Sequence, residues 1–125
     1  MIMATISLET LPCFNEDDVF ERLVQHIAQR SSFMPHQIAG VTGCALNRST
    51  GLLLLLLNRG VVKAHLLIYH NTHLHDPISI MVRGLFEGFP ELPIECSECD
   101  QIITSEDELS YEFLFTKIDE IELTK

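Results

Sequence analysis

Two pairs of potential metal ligands carry the clearest chemistry in this sequence. His70 and His73 are separated by two residues, and so are Cys96 and Cys99. This spacing allows two side chains to bind one metal ion from a tight turn. Two imidazoles and two thiolates form a tetrahedral donor set that suits Zn²⁺. The sequence therefore predicts a structural zinc site formed by His70, His73, Cys96 and Cys99.

Three alternatives to this site remain open from the sequence. His75 forms a His-x-His pair with His73 and could replace His70 as a ligand. The fold could keep its shape without a metal, so that the imidazoles are merely exposed. The metal could also be shared between two protomers.

No group of residues in the sequence predicts a catalytic site. Cys13 and Cys44 are isolated in apolar stretches, and thiols of this kind are usually inert small hydrophobes. His26 and His65 have no carboxylate and nucleophile at a recognisable spacing, and nucleophile-elbow, phosphate-loop and zinc-protease motifs are missing. We therefore predict that the protein is not an enzyme. A zinc with three protein ligands and a water is the remaining enzymatic alternative.

The composition favours a small globular protein. A chain of 125 residues, 46% of them hydrophobic, suffices for one compact domain or two very small ones. The longest leucine run, Leu52 to Leu57, is far shorter than the roughly 20 residues of a membrane span. The N-terminus lacks the basic region of a signal peptide. These features predict a cytoplasmic protein without a membrane segment, in which disulfides are not expected.

The chain is strongly acidic. Eighteen acidic and eight basic residues give a net charge of −10, with the acid concentrated at residues 16–18 and in the C-terminal third. Nucleic-acid affinity is built from lysine and arginine contacts to phosphate, so nucleic acid is an unlikely partner. The acid serves either solubility or a basic protein partner.

Helical periodicity dominates the N-terminal half. A weak strand pattern covers residues 2–8. Asn15 is the expected N-cap of a helix that runs to about Arg30, and Pro35 suits the first turn of a second helix that ends at Thr42 and Gly43. The other expected elements are a helix over Leu46 to Asn58 and a strand over Val61 to Tyr69.

The C-terminal half has a different pattern. Residues 102–103 and 111–115 are predicted to form two strands of a hairpin, joined by the acidic turn at 105–108. The tail from Lys117 to Lys125 alternates in part and is expected to continue the second strand.

The order of these elements resembles two known modules. The segment His36-Gln37-Ile38-Ala39-Gly40-Val41-Thr42-Gly43, followed by Gly60-Val61-Val62, resembles a winged helix-turn-helix. The histidine pair after the wing strand, the spacer and the cysteine pair resemble a zinc ribbon, as in bacterial modules where a wing runs into the first knuckle. Here that knuckle is His-x₂-His instead of Cys-x₂-Cys. The resemblance implies an α+β protein with a winged-helix-like domain at 1–69 and a zinc-ribbon-like β unit at 70–125.

The leucine run points to a contact surface. Six consecutive residues cover every face of a helix, so they cannot all face one core. We expect Leu54 and Leu55 to point outward and to bind a protein partner or a second copy of the chain. Arg48 is the single basic residue on the predicted third helix, and we place it on the same partner-binding surface.

The sequence thus predicts a protein-interaction module with a structural zinc. The resemblance implies an adaptor or regulatory subunit of a larger bacterial effector or defence system. The alternative is a DNA-binding winged-helix transcription regulator, whose third helix would read bases with Asn47, Arg48 and their neighbours.

Overall fold

A computed structural model describes residues 3–73 and 78–125 of the chain. Within this part the protein has three α-helices and eight β-strands, so the predicted α+β class is confirmed. The fold divides into two compact units, one formed by Met1–Lys63 with Phe115–Lys125 and the other by Ala64–Leu114. The division at residue 69 into a winged-helix-like domain and a zinc-ribbon-like unit stays a prediction.

The first unit contains the three helices, at the positions that the periodicity predicted. Helix α1 covers Asp17–Gln29, α2 covers Pro35–Thr42 and α3 covers Leu46–Asn58. Two aspartates in the first turn of α1 complement the helix dipole, although its N-cap is Glu16 rather than the expected Asn15. Helix α2 ends at Gly43, whose φ of 76° is the left-handed conformation that glycine adopts without strain.

Helix α3 buries one side of the leucine run. Leu52, Leu53 and Leu56 are fully buried. Neighbouring residues are 100° apart around a helix, so Leu54 lies on another face and keeps 49% of its surface exposed. The run therefore supplies both core and surface of the first unit.

Two strand pairs complete the first unit. Strand β1, Met3–Ser7, pairs in parallel with β8, Glu120–Thr124, and places Ile6 opposite Leu123. The two-residue strand β2, Ser32–Phe33, pairs with the end of β7, which covers Leu109–Lys117. The tail is thus a separate strand, and the prediction that it continues β7 is wrong beyond Lys117.

The second unit is built from short antiparallel pairs. Strand β3, Val62–His70, pairs with β4, Ser79–Gly84, and β5, Ile94–Glu95, pairs with β6, Ile102–Ile103. The order of the larger sheet is β2–β7–β3–β4. The predicted hairpin of residues 102–103 with 111–115 is therefore wrong, because β6 pairs with β5. The buried core of this unit consists of Leu66, Ile68, Cys96, Ile103 and Leu109.

The helices are short. The longest ones, α1 and α3, have 13 residues each. In the part of the chain that the structure describes, no helix combines the length and apolarity that crossing a membrane requires.

Candidate metal centre

The histidine pair lies at the end of a strand. His70 is the last residue of β3 and is buried, and the single 3₁₀ turn Asn71–His73 follows it. The Asn71 side chain donates a hydrogen bond of 2.9 Å to the carbonyl of Asp107 and accepts one from the Ser110 hydroxyl. Asn71 thus attaches the histidine turn to the chain that leads into β7.

The cysteine pair lies in the tight connection between β5 and β6. The Cys96 N–H donates to the carbonyl of Gln101 at 2.8 Å, and the Asp100 N–H donates to the Cys96 carbonyl at 2.9 Å. Asp100 has a φ of 62°, a left-handed conformation that closes the turn. These bonds orient both thiols toward one side of the hairpin.

The four predicted ligands form one cluster. One donor atom from each of His70, His73, Cys96 and Cys99 lies within 4.8 Å of all the others. The Cys96 Sγ is 3.5 Å from the His73 Nε2, and the Cys99 Sγ is 3.6 Å from the His70 Nδ1. Zinc bonds of about 2.3 Å to sulfur and about 2.0 Å to nitrogen, at a tetrahedral angle, place S and N about 3.5 Å apart. The observed separations match this geometry.

The Cys96 thiol ionises more readily than a free cysteine. Burial is the largest single influence and raises its pKa, but four hydrogen bonds to the thiolate together outweigh burial. They come from the backbone N–H groups of Glu98 and Cys99 and from the rings of His73 and His70. Together they lower the pKa of Cys96 from 9.0 to about 6. The thiolate is the form of cysteine that binds metal, so the cluster already favours the ligand state.

The cluster can therefore bind a metal ion, and its sulfur and nitrogen donors favour a transition metal. Two sulfur and two nitrogen donors at tetrahedral distances suit Zn²⁺ and exclude the oxygen-seeking Mg²⁺ and Ca²⁺. An ion held by all four ligands would join the connection after β3 to the β5–β6 hairpin. The alternative ligand His75 lies outside the described residues.

The predicted partner-binding residues are on α3. Arg48 is exposed in its first turns, and Leu54 is exposed near its middle. Leu55 is half-buried, so it contributes less free surface than the helical pattern suggested. The three side chains are on the first unit, whereas all four metal ligands belong to the second.

The two remaining cysteines are not isolated from each other. The Cys44 thiol donates a hydrogen bond of 3.2 Å to the carbonyl of Cys13, and contact with Cys44 follows burial among the causes that raise the pKa of the Cys13 thiol. Both residues are half-buried. The interpretation of two isolated thiols is therefore wrong, although the raised pKa of Cys13 fits an unreactive role.

Sequence reasoning missed two residues that position the site. Asn71 attaches the histidine turn, and Asp100 closes the cysteine turn in the left-handed conformation. Aspartate tolerates this conformation and favours turns. The position of Asp100 directly after Cys99 was therefore a signal from which the turn could have been predicted. The partners of Asn71 are more than thirty residues away along the chain, and no local pattern indicates them.

A scan against protein-family models and searches of curated proteins and of solved structures found no match to this chain. The side chains that the fold brings together are therefore the basis for inferring a function.

Proposed function

We propose that this chain is a small protein-interaction module whose second unit is held together by a structural zinc ion. The observation that carries the proposal is the cluster of His70, His73, Cys96 and Cys99, with all four donor atoms within 4.8 Å. Four protein ligands complete a tetrahedral shell and leave no position for a substrate or a reactive water. A zinc bound in this way contributes folding energy, and we assign it no catalytic role.

The element order supports a more specific architecture. Helices α1, α2 and α3 followed by β3 are consistent with a winged-helix-like domain. Each ligand pair lies at a connection between two antiparallel strands, β3 to β4 and β5 to β6, which is consistent with a zinc-ribbon-like unit. We include in the proposal the role of an adaptor or regulatory subunit beside a larger bacterial effector or defence protein.

Helix α3 offers the partner surface of the first unit. Leu46 and Leu54 are exposed by 56% and 49%, and apolar side chains on one helix are a common means of docking into a groove of another protein. The partner is a second copy of this chain or a larger protein, and Leu54 is the residue on which both alternatives depend.

Leu54→Glu is expected to leave the fold intact and to abolish self-association or partner capture. A glutamate at an exposed site remains solvated, so circular dichroism should not change. Asn58→Glu is the matched control, because it adds the same charge to an exposed position of the same helix. Sedimentation and affinity capture are the measurements. A folded Leu54→Glu protein with unaltered association would remove α3 from the proposal.

Duplex DNA is the second candidate partner, favoured by the exposed Arg48 in the first half of α3. The net charge of −10 opposes it, because phosphate contacts dominate DNA affinity. We expect no measurable retention of duplex DNA at physiological salt. Tight, salt-sensitive binding in a gel-shift assay that Arg48→Ala abolishes would favour the transcription regulator over the interaction module.

A further inference from the structure

Almost all of the net negative charge of the protein lies in its second unit. Residues 64–114 contain ten acidic side chains and one basic side chain, Arg83, a net charge of −9. The rest of the chain contains eight acidic and seven basic side chains, a net charge of −1. Solubility alone would be served by charge on both units. The concentration in one unit indicates a surface that attracts a cation.

The same unit contains an apolar pocket. Its volume is about 300 Å³, and it is lined by Leu66, Leu85, Gly88, Phe89, Tyr111 and Phe113. The Phe89 and Phe113 rings both meet the edge or face of Tyr111, with ring centroids 5.6 Å and 5.4 Å apart. Tyr111 nevertheless remains 51% exposed. An aromatic pocket that stays open to solvent has the form of a site for an apolar side chain.

Three acidic residues are close in sequence to residues of the pocket wall. Glu87 precedes Gly88 and Glu91 follows Phe89 by two residues. Glu112 lies between two wall residues of β7, but it points to the other face of the strand and accepts a hydrogen bond of 3.0 Å from the Tyr69 hydroxyl. The one arginine of this unit is already paired. Arg83 donates to the carbonyl of Gly88 at 2.7 Å and lies 3.8 Å from the Glu87 carboxylate. Arg83 supports the wall of the pocket, and the pair leaves no net charge of either sign at this position.

From the apolar pocket and the net charge of −9 on the unit that contains it we infer that the second unit binds a basic segment of a partner protein, with one apolar side chain of that segment in the pocket. A second copy of this chain is disfavoured, since it carries a charge of −10 itself. The inference rests on the proposed function, because Leu85, Phe89 and Phe113 pack against the core that contains Cys96 and a zinc ion would stabilise that core.

A tryptophan peptide tests this inference directly, because the protein has no tryptophan of its own. The probe is a synthetic peptide with one central tryptophan and two lysines on each side. Binding to the zinc-loaded full chain should shift the tryptophan emission to shorter wavelength, and the affinity should fall steeply as salt rises to about 0.5 M. Matched peptides carry serine in place of tryptophan or glutamates in place of the lysines, and both should fail to bind.

Two variants locate the binding site. Tyr111→Ala removes an exposed wall and is expected to weaken the peptide about tenfold, as loss of an aromatic anchor does. Phe86→Ala changes a side chain that is 94% exposed and does not line the pocket, so it should leave the affinity unchanged. Equal binding by both variants, by the serine peptide or by the glutamate peptide would overturn the inference, as would binding without an emission shift.

The same samples separate this inference from the proposed function. Zinc content and circular dichroism are measured on every protein used. A folded, zinc-loaded chain that does not bind the lysine peptide contradicts the pocket alone. A chain that binds the peptide but holds no zinc supports the pocket and contradicts the zinc-held module.

Discussion

Replacement of Cys96 and Cys99 by serine is expected to remove the metal and to unfold the second unit. Protein purified without chelator should carry about one zinc ion per chain, and the double variant none. Apparent zinc-binding free energies in small zinc-dependent folds reach about 10 kcal/mol, and that energy is folding energy. Metal analysis and amide hydrogen exchange of residues 64–114 measure the two effects.

The size of this effect follows from how little else holds the unit together. In its described residues the core has five buried side chains with eight partly buried hydrophobic ones around them, and β5 and β6 have two residues each. Isolated hairpins of this length are not stable in water, and a domain of about fifty residues buries too little surface to compensate. Hydrogen exchange should therefore accelerate in 64–114 more than in the helical unit.

Cys13→Ser with Cys44→Ser is the matched control for this experiment. It also removes two thiols, but from the first unit, where no histidine pair accompanies them. This control should keep its zinc and its protected second unit. A Cys96 and Cys99 double variant that is as stable as the control, or a native protein without metal, would contradict the structural zinc.

The helices and the cluster of two histidines and two cysteines could be predicted because their signals are local. Helix α3 covers Leu46–Asn58, the range that the sequence pattern predicted, and Gly43 ends α2 as expected. The ligand pairs were recognised for the same reason, since each pair spans four residues. Two imidazoles and two thiolates supply the four donors of one tetrahedral zinc site, so the sequence predicted a single shared ion.

Strand pairing was predicted less well because it depends on distant residues. Ile103 pairs with Ile94 and not with residues 111–115, and β1 pairs with β8. The sequence pattern of each segment indicates neither which strand it pairs with nor whether the pair is parallel. The contact of Cys13 with Cys44 is equally non-local, because it joins residues thirty-one positions apart. The pocket around Tyr111 arises from the same long-range packing, although the alternating aromatics of β7 were visible in the sequence.

Leu53→Ala and Leu54→Ala are expected to differ sharply although the two residues are neighbours. Leu53 is fully buried, so its truncation should cost about 2–5 kcal/mol through lost burial and a residual cavity. Leu54 is half exposed, and alanine is at least as good a helix former, so its truncation should change the stability by about 0.5 kcal/mol or less. Urea denaturation at low protein concentration measures both free energies of unfolding.

Measuring these two free energies of unfolding at several protein concentrations tests whether α3 also forms an interface. A core defect lowers the stability at every protein concentration, whereas loss of an interface lowers it only where the native chain associates. Leu53→Ala should therefore shift the urea midpoint equally at all concentrations, and Leu54→Ala only at high concentration if the partner is a second copy. Equal losses at low concentration would mean that Leu54 belongs to the core of the first unit, and the partner surface of this helix would have to be abandoned.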